Sequence, residues 1–561
     1  MTYPDGVVAT TTYDFLERPK SLTAQVGLQG SFFIVTNATY KALGPLSSLT
    51  FGNGVTETRA FDNRSIPTRI TATRNSSTLL DWTYATDSIG NITSIGDALN
   101  SANNRTYTYL DQHYFLTQGN GPWGNLSWTY DKIGNRLTET RNGATETYTY
   151  LTNPAGGHDP RLDLTTTTDY TYDAIGDVTR ISSSAGMVDL TYDPARRMDS
   201  LQKTGTSTLT GMLYDGRGFL WKAGLQTGSF NAGPVEQETV YSTYSSEGRL
   251  YHWKRDLSIF QTFEGSSLTE APLTAATAPS SFFTRGPVST LYFGDRLIAT
   301  IDQNGGFTQR TFYLTTDHLG TPILATAPDG SIVWQGGFEP FGKDWNGAGG
   351  AGVFLRFPGQ WADRVWEGPF TGLLYLNGYR WYYAASGRYE RPDPFGAVSS
   401  AEPYLYVAGN PLKGVDPLGL FRIDSSCDCS NPADSGPGSL LGVTIRKACK
   451  YLQRPGCRDA LRAHGLEKCY SERCSEPIGK GPLIVCSNLT DACGLTVPGG
   501  NMVIYKGDMT CPRIFQGKNK PPGARDYSQT LFHEIGHGCG VGAEEPNWWK
   551  EVQNICTGWP L

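Results

Sequence analysis

The sequence predicts a multidomain chain that is mainly β and ends in a small, cysteine-rich α+β module. Three observations predict it. Aromatic-Asp turns recur at near-equal intervals through the first half, all 11 cysteines fall between Cys427 and Cys556, and His533-Glu534-Ile535-Gly536-His537 lies on a helix-compatible stretch near the end. The expected divisions are a repeat array over 1–289, a central core over 290–420 and a terminal module over 421–561.

The repeats come first. Tyr109, Tyr130, Tyr150, Tyr172, Tyr192 and Tyr214 follow one another at almost the same interval, and four of them open Tyr-Asp turns, such as Tyr130-Asp131-Lys132-Ile133-Gly134 and Tyr214-Asp215-Gly216-Arg217-Gly218. A fixed period of about 20 residues marks a repeat architecture. Each unit reads as two short strands, rich in Thr, Tyr, Val and Leu, joined by a turn whose Gly or Asn takes positive φ. A single hairpin is marginal, so neighbouring units must pair edge to edge into one long antiparallel sheet that curls.

These turns resemble the YD repeats of Rhs and teneurin-like proteins. The resemblance sharpens downstream at Tyr313-Leu314-Thr315-Thr316-Asp317-His318-Leu319-Gly320-Thr321-Pro322, at Phe357-Pro358-Gly359-Gln360, at Gly387-Arg388-Tyr389-Glu390-Arg391-Pro392-Asp393-Pro394-Phe395-Gly396 and at Tyr404-Leu405-Tyr406-Val407-Ala408-Gly409-Asn410-Pro411, which follow the Rhs-associated core in order. It implies a hollow β-spiral shell, closed by a core plug, around or beside a C-terminal toxin. His318 invites a catalytic reading, but its Asp-His-Leu-Gly context favours a structural turn.

The core ends at Val415-Asp416-Pro417-Leu418-Gly419-Leu420. The resemblance implies self-cleavage after that leucine, between Leu420 and Phe421, and carries three residues over by position: Arg380, Asp393 and Asp416. The chemistry is sensible, because two close carboxyls cannot both ionise cheaply, so one keeps a proton while the other activates water. Without the resemblance, Asp-Pro-x-Gly reads as a simple turn.

In the terminal module, His533 and His537 stand four residues apart and share a helix face. Two imidazoles so placed can hold Zn²⁺, with Glu534 as general base on a metal-bound water, the arrangement of zincin metallopeptidases. The third ligand is expected at Glu544 or Glu545, with Glu551 an outside candidate. The metzincin position is occupied by Ala543, which excludes a plain metzincin. The bland alternatives are two surface histidines, and acidic residues serving only a helix N-terminus. Eleven cysteines within so short a module approach a disulfide scaffold suited to an oxidising compartment. A Cys539–Cys556 bridge is one guess; Cys427-Asp428-Cys429 lacks zinc-cluster spacing.

Phe421 to the end carries 16 Lys+Arg against 14 Asp+Glu, and the remainder 31 against 39, so neither part has the basic surface of a nucleic-acid binder. No apolar run is long enough to span a membrane, and the N-terminus lacks a signal-peptide pattern. The expected whole is a secreted or target-delivered polymorphic toxin, whose shell encloses and releases a zinc endopeptidase acting on a protein substrate. Its expected partners are a cognate immunity protein and a secretion apparatus or upstream carrier segment. The alternative is a structural or adhesive shell with an inactive or non-peptidase zinc-binding tail.

Overall fold

In the computed structural model, the described residues are 1–419 apart from 42–44, 64, 111–112, 153–157, 185, 205–208, 228–234, 247, 263–267, 272–285, 304–308, 368–373 and 394–401. Beyond 419 they are the backbone of 423–424, 484–487, 494–496 and 502–505. A single 28-stranded sheet runs from Val7–Tyr13 to Ile332–Gln335. Successive strands pair antiparallel, with one branch where Leu250–Thr262 pairs with both Leu268–Ala271 and Val288–Phe293. The sheet crosses the expected division at 289/290 without a break.

The strands follow the period-2 rule that leaves one face for the interior. In Pro19–Val26 the buried positions are Pro19, Leu22, Ala24 and Val26. On the outer face, Thr and Ser pair across strands, as in Thr129–Thr138 at 2.7 Å and Thr191–Ser200 at 2.8 Å. Such pairs add modestly to sheet stability. The sheet also returns to its own start. The Tyr3 hydroxyl donates to the Thr290 carbonyl (2.9 Å), Ser289 donates to Asp5 (2.8 Å), and Arg296 reaches buried Glu57 (2.9 Å).

The repeat unit has a fixed hydrogen-bond grammar. Asp131 Oδ1 accepts from the amides of Ile133, Gly134 and Asn135, and Asp173, Asp193 and Asp215 accept from the second and fourth amides after them. This is the Asx-turn chemistry that makes Asp a turn residue. Each preceding tyrosine turns inward and donates to the carbonyl of an earlier strand: Tyr130 to Leu116, Tyr192 to Val178 and Tyr214 to Met198, each at 2.8 Å. The same Asp turn occurs at Asp14, Asp87 and Asp317, beyond the tyrosine series that the spacing marks. The position of positive φ is glycine at Gly134, Gly176 and Gly218, but Arg196 holds it in the Asp193 turn at φ 62°.

The described residues of 336–419 form a plug against the inner face. Its sheet has four short strands, Gln360–Trp361, Leu374–Asn377, Arg380–Tyr383 and Arg388–Tyr389. Trp361, Trp366 and Trp381 stack edge to face with centroids 4.9 and 5.3 Å apart and join the core beneath the repeats from Tyr148 to Val288. The plug also grips the turns. Tyr404 donates to the Gly176 carbonyl (2.7 Å), Tyr379 to that of Arg217 (3.1 Å), Arg391 to that of Arg196, and Asn410 to the Asn91 side chain (3.0 Å). A Cβ on Gly176 would lie 2.6 Å from the Tyr404 hydroxyl, so this glycine serves both the turn and the close approach of the plug.

At the end of the core, Gly414–Val415 pairs antiparallel with Ile423–Asp424, placing Gly414 opposite Asp424 and Val415 opposite Ile423. Ile423 lies parallel to Ile484. Ile484–Ser487 runs parallel to Met502–Tyr505, which pairs antiparallel with Gly494–Thr496. The rest of the expected terminal module lies outside the described residues.

Candidate active site

Three chain segments meet at Arg380. The strand Arg380–Tyr383 supplies the arginine, the stretch after Arg388–Tyr389 supplies Asp393, and the Asp416-Pro417-Leu418-Gly419 turn supplies Asp416. Arg380 Nη2 lies 3.2 Å from Asp393 Oδ2 and 3.3 Å from Asp416 Oδ2, so one guanidinium nitrogen bridges carboxyls from two separate segments. All three side chains are almost entirely buried. Arg380 Nη1 donates to the Pro403 carbonyl (3.1 Å), and Nε donates to the carbonyl of Gly419, the residue before Leu420. The backbone approach is close: the Tyr379 amide donates to the Leu418 carbonyl at 2.9 Å, where Gly378 and Gly419 have φ of 59° and 68°.

Two further side chains complete the cluster. Tyr389 lies under the Arg380 guanidinium, 3.6 Å from its carbon, and donates to Asp416 Oδ2 at 2.7 Å. Asn377 Nδ2 donates to the Tyr389 oxygen (2.7 Å) and to the Asp416 carbonyl (2.9 Å). Burial works against the Arg380 charge, but Asp393, Tyr389 and Asp416 outweigh it and hold the guanidinium above its usual range. Burial, then the Asp416 charge, pushes the Tyr389 phenol well above its usual value, so it stays a donor. Glu390, which accepts from the Trp381 amide at 2.6 Å, is pushed up to about 7 by burial, against the opposing pull of Arg391.

Arg380, Asp393 and Asp416, singled out by position, are therefore brought together. Leu420 and Phe421 lie outside the described residues, as do His533, Glu534, His537, Glu544 and Glu545 and, apart from the backbone of Cys486, the cysteines. Sequence reasoning passed over Tyr389, Asn377 and Glu390. Tyr389 and Glu390 stand within the Gly387–Gly396 stretch, but nothing in their spacing distinguishes them from strand residues. His318 is buried; its Nε2 lies 2.8 Å from the Leu412 carbonyl, and its ring meets Tyr84 edge-on at 5.3 Å. It ties a repeat turn to the plug.

No family profile matches the chain. Among curated proteins it is 35% identical over 117 residues to the toxin protein Tse5 of Pseudomonas aeruginosa, covering 20% of this chain and 8% of that protein. It is 32% identical over 165 residues to the "Probable deoxyribonuclease RhsA" of Dickeya dadantii, covering 28% and 10%. The chain thus spans about a tenth or less of the length of these relatives. Among solved structures it resembles TcdB2-TccC3-TEV, with TM-score 0.57 and 18% identity over 75% of this chain and 21% of that one. TcdB2-TccC3 without its hypervariable C-terminal region gives TM-score 0.58 and 19% identity over 74% and 20%. The likeness persists without that region and so does not depend on it. The fold is a Rhs-like β-shell, and the chain's homologues are Rhs and Tse5 toxins.

Proposed function

We propose that this chain is a Rhs-type polymorphic toxin with three parts, a repeat shell over 1–289, a core over 290–420 and a toxin module over 421–561. The shell and core hold the module, and hydrolysis of the Leu420–Phe421 bond frees it for use against competitor or host cells. The observation that carries this reading is the bridge from Arg380 to both Asp393 and Asp416, with the same arginine bound to the Gly419 carbonyl. In the reaction, one carboxyl takes a proton from water as its oxygen adds to the Leu420 carbonyl carbon. The other gives a proton to the Phe421 nitrogen as the C–N bond breaks. The products are a Leu420 carboxylate and a Phe421 amine, with both carboxyls restored after proton exchange.

The released module acts as a zinc endopeptidase on a protein substrate. His533, His537 and either Glu544 or Glu545 would hold the metal, which when bound supplies a Lewis acid and an acidified water. Glu534 would serve as the general base. The support is the chemistry of this donor set behind the junction. A cognate immunity protein, delivery by a secretion apparatus or carrier segment, and disulfides formed in an oxidising compartment belong to the same reading. The relatives' names favour one competing activity, DNA cleavage.

Intact-mass measurement of the expressed chain tests the first step, with two species meeting at Leu420/Phe421 expected and a single uncut species refuting it. Assaying the 421–561 product, isolated from the cut chain, against peptide libraries and plasmid DNA tests the second. Peptide hydrolysis abolished by chelation is expected; DNA cleavage without peptidase activity would overturn it.

A further inference from the structure

The two carboxyls of the candidate site need different roles, yet Arg380 does not separate them, because its Nη2 stands 3.2 Å from one and 3.3 Å from the other. Asp416 also takes a hydrogen bond from the Tyr389 hydroxyl, and the polarity of that bond is fixed. A backbone carbonyl only accepts, so the Asn377 nitrogen that lies 2.9 Å from the Asp416 carbonyl must be the amide donor. That same nitrogen lies 2.7 Å from the Tyr389 oxygen, which therefore accepts from it. The Tyr389 proton is left to point at Asp416 Oδ2, 2.7 Å away. A chain of fixed polarity thus runs Asn377 to Tyr389 to Asp416, and it ends on Asp416 Oδ2, which accepts from both Tyr389 and Arg380.

The tyrosine is well anchored. Its amide donates to the Tyr404 carbonyl at 2.8 Å, its ring meets Tyr382 and Tyr406 edge-on at 5.8 and 6.1 Å, and its face supports the arginine at 3.6 Å. Hydrogen bonds to the charged form of a carboxyl favour that form, and charge-assisted ones are about twice as strong as neutral ones.

We propose that Tyr389 is a positioning residue that assigns the roles of the pair: by donating to Asp416 it makes Asp416 the ionised base and leaves the shared proton on Asp393, the acid. This rests on the self-cleavage reading above. Water loses its proton to Asp416 and its oxygen bonds to the Leu420 carbonyl carbon. Asp393 gives its proton to the Phe421 nitrogen as the C–N bond breaks.

The test follows self-cleavage of the full chain made by cell-free translation, chased at a series of pH values and quenched for intact-mass analysis. Tyr389→Phe keeps the ring under Arg380 and removes only the hydroxyl. It is expected to slow cleavage about 10- to 100-fold near neutral pH, the scale of one charged hydrogen bond. It should also move the acidic limb of the rate profile to higher pH. Asn377→Asp offers a second route, because a carboxylate there would accept the tyrosine proton and turn it away from Asp416; the same displacement of the profile is expected. Unchanged rate and profile in a folded Tyr389→Phe chain would overturn the proposal, as would an unchanged profile in Asn377→Asp if the phenylalanine variant does not fold. Asp393→Asn separates the two ideas, since a chain carrying it that is still cut at Leu420 refutes self-cleavage by this site altogether.

Discussion

Arg255 Nη2 lies 2.6 Å from Asp363 Oδ2, and the two side chains are 3% and 0% exposed, so the shell and the plug share a buried ion pair. Burial raises the Asp363 carboxyl above its usual range despite the opposing pull of Arg255, so the pair is under electrostatic load. Arg255 also pairs with buried Glu238, its Nε 3.0 Å from the Glu238 carboxylate, so the arginine serves two carboxylates. Arg255→Met takes it from both and is expected to destabilise by about 3–5 kcal/mol, whereas Asp363→Ala leaves Arg255 on Glu238 and should lose less. Thermal unfolding midpoints at one scan rate provide the check; an Asp363→Ala chain that loses as much as Arg255→Met would contradict this ranking.

A pH effect follows from the two raised carboxyls. Burial lifts Asp302 from 3.8 to about 6 and Glu390 from 4.5 to about 7. A carboxyl raised in the fold binds its proton more tightly folded than unfolded. Its share of stability is therefore greatest below its ordinary value and is lost as pH rises through the folded value, over about pH 4 to 6 for Asp302 and 4.5 to 7 for Glu390. Carboxylates held low by arginines, such as Asp193 and Asp215, act in the opposite direction. The difference between variant and parent is accordingly the informative quantity. Between pH 5 and pH 8, Asp302→Asn should gain on the parent by about 1.4 kcal/mol and Glu390→Gln by about 2.5 kcal/mol, at 1.36 kcal/mol per unit. A constant gap across that range would be the contrary result.

Arg196, like Glu17 of the Asp14 turn, stands where Gly134, Gly176 and Gly218 hold positive φ in their turns, and two effects compete there. Positive φ costs a non-glycine residue about 1–2 kcal/mol, so Arg196→Gly relieves strain. It also removes the contacts from Arg196 to Asp177 at 2.6 and 3.0 Å, leaving a carboxylate that is fully inaccessible. An uncompensated buried charge outweighs the turn. A net loss of midpoint is expected for Arg196→Gly, and a gain would show that the turn geometry dominates.

In the terminal module, ligand loss and base loss should separate. Glu534→Gln is expected to keep about one zinc per chain, measured by elemental analysis, while peptidase activity falls about 10²–10⁴-fold. His537→Ala should lose both. Full activity in a metal-bearing Glu534→Gln chain would remove the assigned base.

The repeats were legible because their order is local. A steady tyrosine period, and an Asp that bonds the second and fourth amides after it, are both written in consecutive residues. The turns at Asp14 and Asp87 were less visible, since Asp87 follows Thr86 and Asp14 falls outside the regular spacing, whereas the Asp317 turn was legible in its Asp-His-Leu-Gly context. Arg196 escaped notice because its positive φ is compensated by Asp177 in the preceding repeat, a partner that turn chemistry does not indicate. At the candidate site, Arg380, Asp393 and Asp416 were reached through a resemblance, and their convergence could not be read from their separations along the chain. Tyr389 and Asn377 were missed for the same reason: strand residues look alike until the fold sets one beneath an arginine and the other against a carbonyl.

The short ladder that joins Gly414–Val415 to Ile423–Asp424 spans the Leu420–Phe421 bond from both sides. A break in the chain at that bond would leave the new amino terminus only two residues from a strand still fastened to the core. Severing the covalent link and parting company are then separate events. That small, peelable seam is one attachment the second must undo, and a pull on the freed segment would open it pair by pair rather than all at once.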